Sequence, residues 1–338
     1  MPAGAKRVLV TGGAGFIGSH LCEHLLARGD AVVALDNFDD FYDPEIKRRN
    51  LAACRSRGDF TLVEGDIRDA ELLDELPRGG LDAVIHLAAR AGVRPSIESP
   101  SLYADVNVVG TTRLLEMARR HRIRNFVFAS SSSVYGERRD APFRESDAVD
   151  LPVSPYAATK KAGELLCHAF HRLGELDVAC LRFFTVYGPR QRPEMAIHHF
   201  TRLIAAGEPV TVFGDGDAQR DFTYVDDIIS GVLAALDRNE GYRVYNLGHH
   251  RMVSIDELVA EIGAALGIEP RIHRLPAQPG DVSRTCADIS RARDLLGYEP
   301  RTPLEEGIAR FVEWYREESA PVRGDAALEA GVAAPSAR

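Results

Sequence analysis

The stretch TGGAGFIG, residues 11–18, lies between an apolar run, KRVLV, and an amphipathic one, FIGSHLCEHLLARG. Gly12, Gly15 and Gly18 punctuate this strand-to-helix turn. Glycines there permit a tight turn, close backbone approach to a pyrophosphate and close packing of the helix, whose first N–H groups and positive dipole end favour an anion. Phe16 and Ile17 ride on the same turn. The next apolar run, AVVALD, ends in Asp36, followed by Asn37. An acid there is placed to accept hydrogen bonds from an adenosine ribose and to repel a 2′-phosphate, which favours NAD over NADP.

Further apolar runs alternate with helical patterns: FTLVEGD, DAVIHLAA, RNFVFASS, LDVACLRFF and YRVYNLG. That alternation predicts an α/β chain of the Rossmann type, a doubly wound parallel sheet covered on both faces. The third run delivers Asp66 and Ile67 within reach of an adenine, and the fourth ends in the small Leu87, Ala88 and Ala89. SLYADVNVVGTTRLLEMARRH reads as one long helix, and Asn107 within it is a further cofactor candidate. After Phe184 the rhythm breaks into the Gly-, Pro- and Arg-rich TVYGPRQRPEMA, read as a loop. The expected division is a cofactor domain over 1–184 and 223–253, a smaller C-terminal α/β substrate lobe over 185–222 and 254–318, and a mobile tail over 319–338.

A net charge of −9 argues against nucleic acid or an anionic membrane as partner, and no apolar run approaches the length of a membrane span. The five cysteines form no CxxC, and no metal-ligand spacing occurs. With a first strand beginning by Arg7, this points to the reducing cytoplasm. Of 41 basic residues only Lys6, Lys47, Lys160 and Lys161 are lysines, so each invites a reason why arginine does not serve.

Tyr156 and Lys160 stand four apart in a helical pattern and so share a face. An ammonium beside a phenol lowers the phenol's pKa, and such a tyrosine exchanges a proton with a substrate hydroxyl near neutral pH. Upstream, the apolar run NFVFA ends in four serines, Ser130 to Ser133.

TGGAGFIG, ASSSSVYG, YAATK and RDFTYVDD, in this order, resemble the extended short-chain dehydrogenase/reductases, the nucleotide-sugar epimerases and dehydratases, over residues 6–316. The resemblance implies tightly held NAD, a UDP- or TDP-sugar between the lobes and transient oxidation at the sugar C4. It makes Ser131, Tyr156 and Lys160 the catalytic set, with Lys160 also bonding the nicotinamide ribose. In the dehydratases of this family the next two positions are acidic, and the decarboxylases carry a glutamate at the second; here they are Ser132 and Ser133. Without those acids the expected chemistry stops at a 4-epimerase.

LDNFDDFYDPEIKRRN, AARAGVRPSIESP and FFTVYGPRQRPEMA look most like the UDP-glucuronate 4-epimerase branch. A buried sugar carboxylate needs donors, for which Ser132, Ser133, Thr185 and Arg192 stand as candidates, with Arg94 a further one near the sugar. Likeness assigns Arg220 to the pyrophosphate, Thr211 and Phe213 to the uracil and ribose wall, and Asp281 to a ribose. Gln278 departs from the arginine usual in galactose-type epimerases. The alternatives are a UDP-glucose/UDP-galactose or dual-specificity epimerase, a dehydratase or decarboxylase, and a non-catalytic NAD(H)-binding protein on the same fold. By analogy the helices over 100–121 and 156–174 pair in a homodimer.

Overall fold

The runs flanking the glycine turn become β1 (Arg7–Thr11) and β2 (Ala31–Asp36), paired in parallel from Arg7 with Ala31 to Thr11 with Leu35. The computed structural model describes residues 4–138, 140–174, 176–216, 218–276 and 284–319. The chain continues through β3 (Phe60–Glu64), β4 (Ala83–His86), β5 (Asn125–Ser131) and β6 (Asp177–Phe183). It then leaves the sheet for β7 (Thr185–Tyr187), β8 (Val210–Phe213) and β9 (Gln219–Tyr224), and returns as β10 (Tyr242–Leu247). The order β3-β2-β1-β4-β5-β6-β10, parallel at every pairing, is the doubly wound sheet the alternation predicts. All of β4, and all of β5 after Asn125, are buried, which is why these strands read as continuous apolar runs rather than alternating ones.

Outside this sheet, β7 and β9 join β11 (Met252–Ser254) in a three-stranded sheet, and β8 pairs with β12 (Ile272–Leu275). The helices Ala196–Ala205, Ile255–Leu266 and Leu304–Ser319 belong to the same region. Asp221 on β9, fully buried, accepts from the N–H groups of His249, His250 and Ala287 and from the Thr223 hydroxyl. One carboxylate thus gathers three separate segments, and burial without those bonds would be costly.

Two readings change. The segment after Phe184 is not loop throughout, because Thr185–Tyr187 is paired with Phe222–Tyr224 of β9. The long helix runs without interruption from Pro100 to Arg120 but carries a π-turn over Asp105–Val109. Such turns fit an extra residue into a helix, and the buried Asn107 sits inside this one. Of the expected tail, residues 320–338 lie outside the described residues.

Candidate active site

The strand order reverses between β1 and β4, where doubly wound sheets bind ligands beyond the carboxyl ends of the strands. A cavity of about 400 Å³ opens there. Its wall takes Gly12, Gly15, Phe16, Ile17 and Gly18 from the turn after β1, Asp36 and Asn37 from β2, and Asp66 and Ile67 from the turn after β3. Leu87, Ala88 and Ala89 follow from just after β4, Ser130 and Ser131 from β5, Ser132 and Ser133 from the turn beyond it, and Thr185 and Arg192 from beyond β6, with Tyr156 and Lys160 from the helix Pro155–Leu173.

At one end the wall is shaped for a pyrophosphate. Gly12 has φ +70, and a Cβ on it would stand 2.8 Å from the Ala88 nitrogen. A Cβ on Gly18 would stand 2.1 Å from the Gly12 carbonyl oxygen, so the helix packs on the turn only as glycine. The helix Phe16–Ala27 starts at Gly15 with no side-chain cap, whereas Ser154 caps Pro155–Leu173 by accepting from the Ala157 N–H at 3.1 Å. The uncapped end leaves N–H donors at the cavity wall for a phosphate.

Asp36 is buried and accepts from the Ala14 and Phe38 N–H groups at 3.0 and 2.9 Å. Burial raises its pKa, and the nearby Lys47 ammonium opposes the rise. Two bonds leave lone pairs on this carboxylate for ribose hydroxyls. Asp66 is tied to Arg68 at 2.8 Å and accepts from the Asn37 amide at 3.0 Å; the Arg68 bonds hold its pKa down at about 2, so it remains an anionic acceptor. These residues fit NAD.

At the other end the four serines divide. Ser130, near-fully buried, donates to Glu164 at 2.7 Å, and Glu164 grips Arg182 of β6 through bonds of 2.8 and 2.9 Å. Ser131 caps a short 3₁₀ turn, Ser132–Tyr135, accepting from the Ser133 N–H at 3.2 Å, and its hydroxyl lies close enough to the Tyr156 phenol to hold that phenol's pKa down. Ser132 and Ser133 lie past the strand end and face the cavity.

Lys160 shares the helix face of Tyr156 and is fixed from behind by the end of β5. Lys160 is buried and its ammonium donates to the Ala129 carbonyl at 2.7 Å, above the Phe128 ring. Desolvation lowers its pKa to about 8. The Tyr156 phenol is raised by burial, and what opposes the rise is the Ser131 hydroxyl and the Arg192 guanidinium. Helical spacing put the two side chains on one face, but the longer lysine reaches a carbonyl at the end of β5.

Asn107, expected on the cofactor, is outside the cavity wall. Its amide donates to the Arg90 carbonyl and the Thr159 hydroxyl, both at 3.0 Å, while its oxygen accepts from the Arg90 N–H at 2.8 Å. It braces the segment after β4 against the tyrosine helix. Arg94, Thr211, Phe213 and Arg220 also stand outside the wall: Arg94 lies over the Phe213 ring at 5.9 Å, and Arg220 donates to the Gln219 carbonyl at 3.0 Å. Gln278 and Asp281 lie outside the described residues. The wall adds Asp39, Phe41, Tyr42, Lys47 and Arg90, which sequence reasoning did not assign. The scarcity of lysine marked Lys47; no comparable signal marked the others.

The model of the NAD dependent epimerase/dehydratase family matches residues 8–248. A UDP-glucuronate 4-epimerase of Thermodesulfobacterium geofontis is 43% identical, over 91% of this chain and 96% of its own length. The crystal structure of UDP-glucuronic acid 4-epimerase from Bacillus cereus, in complex with UDP-glucuronic acid and NAD, superposes with a TM-score of 0.86 at 37% identity, covering 92% of this chain and 99% of that one. A dTDP-glucose 4,6-dehydratase from Streptomyces venezuelae, with NAD bound, also reaches a TM-score of 0.86, at 35% identity over 92% and 97% of the two chains. Backbone shape therefore does not separate epimerase from dehydratase, and the side chains in the cavity must.

Proposed function

This chain belongs to the NAD dependent epimerase/dehydratase family, and we propose that within it the enzyme interconverts UDP-glucuronate and UDP-galacturonate at C4. The observation that carries the reading is the pair Ser132 and Ser133, neutral hydroxyls on the cavity wall where elimination or decarboxylation chemistry needs an acid. Arg192 adds to it: it lines the cavity between the Asp36 segment and Tyr156, and its charge acts on Tyr156 as well as on Tyr42 and Lys47.

Bound NAD supplies the oxidation and re-reduction at the sugar C4. Tyr156, beside Ser131, takes and returns the proton of the C4 hydroxyl. Lys160, anchored on Ala129, presents an ammonium beside the cofactor. The 4-keto form of a glucuronate is a β-keto acid that readily loses CO₂. Ser132, Ser133 and Thr185 anchor the carboxylate with its C–C bond out of line with the carbonyl π system, and they add no proton donor strong enough to drive loss. Residues 185–222 and 254–318 serve as the sugar-nucleotide lobe, with Thr211, Phe213, Arg220 and Asp281 as its UDP-side contacts, and Arg94 stands near the sugar.

The test is to offer UDP-glucuronate and UDP-glucose separately, without added cofactor, and analyse the products by NMR. UDP-galacturonate is the expected product, from protein that purifies with NAD. UDP-galactose alone would overturn the substrate. Ser133→Ala and Thr185→Ala each remove a donor to a charged group, worth about 1.5–3 kcal/mol. Each is expected to lower the preference for UDP-glucuronate over UDP-glucose roughly ten- to a hundredfold. Equal losses on both sugars, with no decarboxylated product, would leave these hydroxyls a purely structural role.

A cytoplasmic homodimer completes the proposal. No described helix is long and apolar enough to cross a membrane. The five cysteines are unpaired and buried. Val109, Leu165 and Leu173, at 40%, 58% and 70% exposure, leave apolar surface on the two helices expected to pair. Light scattering at micromolar concentration is expected to give twice the chain mass.

A further inference from the structure

The segment after β2, NFDDFYD, folds along the cavity wall into the helix Pro44–Asn50. Phe38 turns back with φ +50, and the side-chain oxygens of Asn37 and Asp39 accept from the N–H groups of Asp39 and Phe41 at 3.1 and 2.9 Å. Two guanidinium groups approach the Phe41 ring, Arg90 at 5.7 Å and Arg192 at 5.8 Å. They are held differently. Arg90 is ion-paired with Asp39 at 2.8 Å, and Asn107 clamps its backbone. Among the described residues Arg192 has one ion pair, from its Nε to the exposed Glu194 at 2.9 Å, besides the ring. The turn behind it is pinned to the cofactor helix by Arg190, whose φ is +65, through Glu23 at 2.7 Å. That tie fixes where the Arg192 backbone stands; the ring bears on its guanidinium.

We propose that Phe41 is a positioning residue that holds the Arg192 guanidinium at the reacting end of the cavity, ready for the sugar carboxylate. An aromatic face attracts a cation without consuming its N–H donors. A second carboxylate in that place would compete with the substrate for them. The braced Arg90 keeps the ring in place, so the chain of contacts runs from the tyrosine helix through Asn107, Arg90 and Phe41 to Arg192. The proposal rests on UDP-glucuronate being the substrate.

The test compares initial rates of the NAD-loaded enzyme and of Phe41→Leu, Phe41→Tyr, Arg192→Met and the double variant Phe41→Leu/Arg192→Met. Phe41→Leu is expected to raise KM for UDP-glucuronate roughly three- to thirtyfold, with kcat and bound NAD little changed. Phe41→Tyr, which keeps the ring, is expected to restore KM. In the Arg192→Met background Phe41→Leu is expected to add almost nothing, because residues acting through one another are not additive. Multiplying effects, failure of the tyrosine to rescue, or loss of NAD in proportion to activity would overturn the role. If the wild type leaves UDP-glucuronate unchanged, the substrate reading fails by itself. The same cycle is then run on the UDP-hexose it does epimerise, where independent effects would overturn the clamp as well.

Discussion

Tyr156→Phe is expected to lower turnover of UDP-glucuronate about 10²- to 10⁴-fold, the usual worth of a positioned acid/base. The change removes one oxygen and keeps the ring, which packs edge-on against Tyr103 at 6.3 Å. The Ser131 hydroxyl keeps its other partner, Ser133, at 3.1 Å. NAD content and the affinity for UDP-glucuronate are therefore expected to stay within a few-fold, and the loss to fall on kcat rather than KM. Single-turnover rates with equilibrium binding check this; near-normal turnover would remove the phenol from the proton transfer.

Lys160→Met is expected to abolish most activity and yet stabilise the protein once it is stripped of NAD. Burial lowers the ammonium's pKa from 10.5 to about 8. Between those two values the unfolded chain binds the proton and the folded chain does not, so this group's contribution to stability rises with pH across that window. Below it the cost of burying the charge is fully present, on the order of 3 kcal/mol from the size of the shift. Methionine removes that cost and gives up the bond to the Ala129 carbonyl, worth about 1 kcal/mol. A net gain of about 1–2 kcal/mol at pH 7 corresponds, in a chain of this length, to a Tm roughly 1–3 °C higher. The gain is expected to shrink toward pH 10, where the wild-type lysine is already neutral in the folded state. A Tm equal to or below wild type at pH 7 would mean that the cavity wall solvates this ammonium well.

Both variants depend on what the strand ends place together, and that part was readable in advance. Apolar runs named the seven strands of the sheet, uninterrupted in the central ones because both of its faces are covered there, and glycine spacing located the phosphate end. The relation of Tyr156 to Lys160 was read only halfway. A four-residue spacing fixes the face of a helix but not where a long side chain ends. The bracing by Asn107 was not legible, because a polar residue inside a helical pattern gives no sign of the π-turn until the turn is seen. Phe41 and Arg90 were unreadable because their role comes from a segment that doubles back across the cavity wall, and no periodicity encodes that; the rarity of lysine flagged Lys47 but not its role. The three-residue β7 escaped because its pairing partner lies far along the chain, and a run so short has no pattern of its own.

Strand β5 ends at Ser131, and Ser132 and Ser133 lie just beyond it in a turn that Ser131 caps. That boundary bears on how such an enzyme changes over generations. Ser130 is welded to the ion pair beneath the sheet, and Ser131 closes the turn, so neither tolerates much novelty. The next two codons carry no ladder bond and no core packing. A lineage that exchanged serine for an acid there would alter the fate of the oxidised sugar while every strand kept its register. Inheritance of the fold and inheritance of the reaction are written in adjacent but separable letters, and the seam between them falls after residue 131.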